Sequence, residues 1–289
     1  MLGKMFKQDF RALSRILFPL QIGVLAGGLV ATLLLRLTLV LSHVNVEKAG
    51  GAIVVNGMVM GISGTIAVLI CVALMASILV TLIMILLHFY RNLMGNEGYL
   101  TFTLPVSTST ILWSKVITGV LWLIINFAVV CLAGLIILVF GTTATSFMSQ
   151  DALEFLSSCF RIIPQANQVA PMGLLIPEVL LFALVMVVSQ LMELYFAIVV
   201  GGQMAKKNKV LAAIGMYLVI NLVVGIVKQV FTFGSLGLFG LGSMAFNTAE
   251  GFSGFAAATM GWYILLHAAL FVGFFFWSRH LLSHDLNLQ

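Results

Sequence analysis

The sequence predicts an all-α integral membrane protein: six transmembrane helices, an N-terminal amphipathic interface helix and a re-entrant hairpin before the last helix. Three observations carry this. Of 289 residues, 62% are apolar and only 8% are charged, against about 25% charged in an ordinary soluble domain. The mean hydropathy is +1.17. Six stretches reach the length of about 20 apolar residues that a bilayer crossing needs: about 18–42, 60–88, 111–140, 174–203, 210–233 and 259–282. The composition points to one helical bundle over residues 1–289, with little mass outside the bilayer.

The N-terminal segment, 1–16, reads as a helix lying on the membrane. Leu2, Met5, Phe6, Phe10, Leu13 and Leu17 recur at spacings of three and four, while Lys4, Lys7, Arg11 and Arg15 take the other face. That is the pattern of an interfacial helix facing anionic lipid. A full-length span follows, rather than the short apolar region and small-residue cleavage site of a signal peptide. Pro19 is expected to bend the chain into this first span. Within it, Gly23, Gly27 and Ala31 form a small-residue face suited to close helix packing or a dimer seam, and Arg36 is expected to snorkel to the outer interface.

In the second span Ser63, Ser77, Thr81 and His88 fall along one stripe. The fourth gathers Ser189, Gln190 and Glu193, and Asn221, Gly225 and Lys228 share one face of the fifth at i, i+4 and i+7. Charges in a bilayer are costly and normally face protein or water. Gln190, Glu193, Asn221 and Lys228 therefore stand as candidates to line a translocation pathway, with interhelical hydrogen bonding and snorkelling of Lys228 as the competing reading. Three outer connections follow from this layout. Residues 43–59 form a short Gly-rich loop. Residues 141–173 include a short amphipathic helix around Asp151–Arg161, stopped by Pro164. Residues 234–258 are apolar and nearly uncharged, yet broken by Gly234, Gly237, Gly240, Gly242, Gly251 and Gly254. Such a run is too broken to span and too apolar for a free loop, so it is expected to re-enter the membrane from outside, packed against protein.

Orientation follows from the basic residues. With the N-terminus inside, Lys4, Lys7, Arg11, Arg15, Arg91, Lys115, Lys206, Lys207, Lys209 and Arg279 fall on the cytoplasmic side, and only Lys48, Arg161 and Lys228 on the other. This bias puts both termini in the cytoplasm of a multi-pass protein of the cell membrane. The formal charge of +5 is spread over span ends and carries no nucleic-acid signature.

Enzyme chemistry finds little support. Gly251-Phe252-Ser253-Gly254 followed by His267 echoes the serine motif of intramembrane rhomboid proteases. The two residues are fourteen positions apart, however, about 21 Å along one helix, beyond the reach of a nucleophile and its base. His43, His88, His267, His280 and His284 are dispersed, and Cys71, Cys131 and Cys159 make no framework. No G-x-x-x-x-G-K-[ST] occurs, so the chain has no P-loop for nucleotide phosphates. Nor do two halves mirror each other as in inverted-repeat secondary transporters.

The stretch between the second and third spans is different in kind. Loop 91–110 contains Gly-Asn-Glu-Gly-Tyr-Leu-Thr-Phe-Thr-Leu-Pro at 95–105. Gly95-Asn96 and Gly98 are turn formers, able to take positive φ without steric cost. Pro105 stops a helix from running through, and Ser107 or Thr108 can cap the next one. Glu97, Tyr99 and Phe102 are thereby put on display.

This run, "GNEGYLTFTLPVS", resembles the cytoplasmic coupling segment of permease subunits of bacterial type-2 ABC exporters. The opening "MLGKMFKQDFRALSRILFPL" looks like the start of the same proteins in Gram-positive bacteria. The resemblance implies a permease that forms the translocation pathway and has no catalytic residues, cofactor or metal of its own. It implies partners too: a dimer of separate ATPase subunits carrying ATP and Mg, and a second permease, identical or paralogous. It assigns ATPase coupling to Gly95, Asn96, Glu97, Gly98, Tyr99, Leu100, Thr101 and Phe102, and docking to the interface helix with Lys4, Phe6, Lys7, Phe10 and Arg11. Its substrates would be peptide antibiotics, drugs, lipid-like molecules or sodium. The family also carries a re-entrant feature before its last helix. Two rival readings stand beside it: a stand-alone intramembrane enzyme, and a non-transporting membrane anchor or sensor subunit.

Overall fold

A computed structural model of the chain describes residues 2–48, 52–95, 98, 106–141, 154, 157–158, 161, 172–205, 208–235, 237 and 249–284. Six long helices account for nearly all of them: α1 (Leu2–Lys48), α2 (Ala52–Leu93), α3 (Thr108–Phe140), α4 (Met172–Met204), α5 (Lys209–Ser235) and α6 (Ala249–His284). Each contains a segment long and apolar enough to cross a membrane, and no strand occurs among the described residues. The protein is an all-α, six-span membrane protein.

The helices overrun the boundaries expected from hydropathy. Pro19 does not separate an interface helix from the first span: α1 continues through it as one helix of 47 residues, about 70 Å long at 1.5 Å per residue. Pro19 removes the hydrogen bond to the Arg15 carbonyl, but both residues lie on the exposed face of α1. Water or polar headgroups can meet the freed carbonyl on that exposed face, so the helix can carry the proline. The expected Gly-rich loop 43–59 is likewise mostly helical, since α1 runs to Lys48 and α2 starts at Ala52. The two ends of the expected hairpin, Gly234–Ser235 and 249–258, belong to α5 and α6, and nearly all of its middle lies outside the described residues. Of the expected amphipathic helix near 151–161, Glu154, Ser157, Ser158 and Arg161 are described and are helical.

Two compact units are formed. The first joins Met1–Asp9, Leu86–Val120 and Ile162–Gln289; the second joins Phe10–Ile85 and Leu121–Arg161. In the first, α4 is the central helix and packs along both α5 and α6. Phe196, Ala197, Ile220 and Val224 are its buried centre, with Val200, Met216, Tyr217 and Phe274 packed around them. Phe196 stacks on Phe274 with ring centroids 5.0 Å apart. Near the α4–α5 connection the backbones almost touch: a Cβ on Gly201 would lie 2.4 Å from Ala213 Cα.

In the second unit Phe10 stacks on Trp122 at 5.2 Å, and Asn126 Nδ2 donates to Gln21 Oε1 at 3.2 Å. The close α1–α3 approach falls at Gly28, whose added Cβ would lie 3.2 Å from Ala133 Cβ. Gly23 and Gly27, expected to serve close helix packing or a dimer seam, have nothing of this chain within 4 Å of an added Cβ. Only Ala31 of that face is buried.

Candidate functional site

The loop between α2 and α3 is held at both ends by backbone and side-chain bonds that the structure resolves. At the end of α2, the Tyr90 carbonyl accepts from Met94 N at 2.8 Å and from Gly95 N at 3.0 Å. A Cβ on Gly95 would lie 2.7 Å from the Arg91 carbonyl oxygen. Gly95 is thus needed for close backbone approach; no described residue takes positive φ, so the left-handed conformation is not the reason. Gly98 N then donates to the Gly95 carbonyl at 2.9 Å, and Gly98 is buried. At the start of α3, Ser107 stands at the N-cap position. Its carbonyl accepts from Thr110 N at 2.9 Å and its hydroxyl meets Thr110 Oγ1 at 2.8 Å. Asn96, Glu97, Tyr99, Leu100, Thr101 and Phe102 lie outside the described residues.

Just inside these two ends sits a buried polar cluster within the first unit. Asp9 stands at its centre. Its Oδ1 receives Lys115 Nζ at 2.5 Å and faces His88 Nε2 at 3.3 Å; its Oδ2 accepts from Ser114 Oγ at 2.6 Å. His88 Nε2 also lies 3.3 Å from Lys115 Nζ and 3.3 Å from Asn92 Nδ2. One nitrogen cannot serve both as donor to Asp9 and as acceptor from these, so the tautomer selects between two arrangements. Tyr195 of α4 donates its hydroxyl to the Lys115 carbonyl at 3.3 Å and stacks flat on Phe89 at 3.9 Å. Asp9, Ser114, Lys115 and Tyr195 are all buried. Burial of a charge pair costs several kcal/mol unless every lone pair and proton finds a partner, and here Asp9 is met on both oxygens.

This cluster was not anticipated as a site. Lys115 figured only in the charge bias, and His88 only in a polar stripe and among the dispersed histidines. One signal was present: Asp9 is the single acid before Glu47, and Lys115 is the single charge in α3. Nothing in the sequence said that they meet, since they are 106 positions apart.

The interface residues divide as amphipathicity predicts. Lys4, Lys7 and Arg11 are exposed, while Phe6 and Phe10 are half-buried.

Among the pathway candidates, the structure brings Glu193 and Lys228 together. Glu193 is 1% exposed, with Lys228 Nζ 3.9 Å from its Oε2 and no hydrogen-bond partner for its Oε1. Lys228 therefore turns towards α4 instead of snorkelling away. Asn221 is near enough to act on the same carboxylate and donates to Tyr217 OH at 3.3 Å. Gln190 is half-buried. His267 joins from α6: it is buried, its Nδ1 has no partner, and it feels the charge of Lys228. Ser253 and His267 lie on one continuous helix, α6, which keeps them about 21 Å apart. Among the described residues no group of histidine, cysteine or carboxylate side chains could hold a metal ion.

No family model, no curated protein and no solved structure matches the chain.

Proposed function

We propose that the chain is the transmembrane permease subunit of an ATP-driven exporter of the type-2 ABC class. It would form the translocation pathway with a second permease and couple to separate ATPase subunits that bind ATP and Mg. The termini and the loop at 95–105 would face the cytoplasm, and the membrane would be the cell membrane. Substrates would be peptide antibiotics, drugs or lipid-like molecules.

One observation carries the reading. The polar-aromatic segment Gly95–Pro105 joins two helix ends, and both ends are tied through His88, Asn92, Ser114 and Lys115 to the buried Asp9 of the N-terminal helix. A loop that only connected two spans would need no such anchorage. A partner pushing on Tyr99 or Phe102 would move α2, α3 and the start of α1 together, because a packed, hydrogen-bonded junction transmits strain instead of absorbing it. On the same reading Glu193 and Lys228 line the pathway.

Co-purification with a candidate ABC ATPase subunit from the same cell tests the proposal. Tyr99→Ala and Phe102→Ala should each weaken ATPase binding by about 2 kcal/mol, as buried aromatic anchors do. Glu97→Lys should impair orientation, and all three should insert and express normally. Retention of the ATPase and of substrate-stimulated hydrolysis at wild-type level in all three would overturn the assignment.

A further inference from the structure

The second unit contains an open apolar groove of about 910 Å³ between α1 and the later part of α2. Its α1 wall runs from Ile16 and Pro19 through Gly23 and Gly27 to Leu34; its α2 wall runs from Ile66 through Ala73 to Val80. The helices are antiparallel along it, so Ile16 and Val80 mark one end and Leu34 and Ile66 the other. From Ile16 to Leu34 is about 27 Å along the axis, close to the thickness of a hydrocarbon core. The glycines keep its floor open, with nothing within 4 Å of a Cβ at Gly23 or Gly27.

The Ile16 end is charged. Arg15 immediately precedes Ile16 and lies one turn before Pro19; Arg11 lies one turn earlier, and both are exposed. Neither enters any ion pair found among the described residues. Residues 10–40 and 61–85 contain no Asp or Glu, so no carboxylate of these α1 and α2 segments balances the two guanidiniums. Long side chains on a helix lean towards its N-terminus, which here is away from the apolar groove and towards the interface.

We propose that this groove binds an anionic phospholipid from the leaflet on the N-terminal side. Its phosphate would lie against Arg11 and Arg15, and one acyl chain would lie between Pro19, Gly23 and the Ala73–Val80 wall. Guanidinium groups recognise phosphate by paired hydrogen bonds, and the uncharged groove accepts a hydrocarbon tail. A zwitterionic lipid with the same tails fills the groove equally but leaves the two arginines without net anionic charge.

Native mass spectrometry of the full chain tests this with palmitoyl-oleoyl phosphatidylglycerol and the matching phosphatidylcholine as probes. The wild type should retain phosphatidylglycerol preferentially. Removing both charges in Arg11→Gln/Arg15→Gln should weaken phosphatidylglycerol binding about thirtyfold, at about a factor of five per basic residue. Gly23→Leu, which fills the floor while leaving both arginines, should lower retention of either lipid; Ala73→Leu narrows the groove from the opposite wall and should do the same. Elution of each variant as a monodisperse peak by size exclusion confirms folding. Equal retention of the two lipids by the wild type overturns the proposal. So does wild-type phosphatidylglycerol retention in the arginine double variant. Loss in that variant with none in Gly23→Leu and Ala73→Leu would mean charge attraction at the surface without the groove, and also overturns it.

Discussion

Two polar clusters in the first unit are built from similar residues and are made differently. Around Asp9 a carboxylate, an ammonium, an imidazole and a hydroxyl meet at 2.5–3.3 Å, and both oxygens of the acid are occupied. Around Glu193 a carboxylate, an ammonium and an imidazole are again present, but the nearest charged contact is 3.9 Å. Glu193 Oε1 and His267 Nδ1 have no partner, and the Lys228 side chain is 24% exposed. The first arrangement is a fixed joint, since any displacement strips a buried charge of its counter-charge. The second has hydrogen-bonding capacity to spare, so its members can change partners at small cost. The difference suits the proposed roles: a stiff junction beside the coupling loop, and a rearrangeable polar site among α4, α5 and α6.

The largest expected effect is at the joint. Lys115→Met should destabilise the protein by about 3–5 kcal/mol, because it leaves Asp9 buried without its counter-charge. Thermal unfolding in detergent reads this, and adding Asp9→Asn should recover much of the loss. A small loss in the single variant would mean that Asp9 is reached by water and that the joint is loose.

Next is the packing between α4 and α5. Gly201→Ala should cost about 1–3 kcal/mol as an overpacking change, because its Cβ would meet Ala213 Cα at 2.4 Å. If so, backbone contact holds these two helices together and the Glu193–Lys228 pair is not needed for that. Wild-type unfolding in Gly201→Ala would return that task to the ion pair.

The N-cap position comes third and sharpens the contrast between loop ends. Ser107→Ala should lower stability by about 1 kcal/mol, read in the same unfolding assay. No change would show that α3 is held at its start by Ser114 and Lys115 alone.

Smallest is the loose pair. Lys228→Met should cost only about 0.6 kcal/mol, the average for polar contacts between membrane helices. The stranded Glu193 carboxylate can take up a proton, whereas Asp9, held by Ser114 and His88, stays charged. Transport should suffer far more than stability. A stability loss equal to that of Lys115→Met would erase the distinction between the two clusters.

Much of this was legible in the residues. A span is a sum over about 20 neighbouring side chains, and such sums need no knowledge of the rest of the chain. That is why all six spans and the exposed Lys4–Lys7–Arg11 face agree with expectation. The start of α3 just after Ser107 is equally local. Boundaries fared less well. Nothing in a hydropathy profile says that a helix stops where its apolar run stops, and α1 and α2 extend past theirs.

The sequence by itself determined the class of the protein, the number of its spans and the polar positions that had to find partners, because burial in a bilayer taxes each residue separately. Only the tertiary structure decided which partners they found. It joined Asp9 to Lys115 across 106 positions. It turned Lys228 towards Glu193, and it placed the close α1–α3 contact at Gly28. Those choices depend on the angle and offset at which rigid helices pack. A shift of one residue rotates a side chain by about 100° around its helix, so no count along the chain could have fixed them.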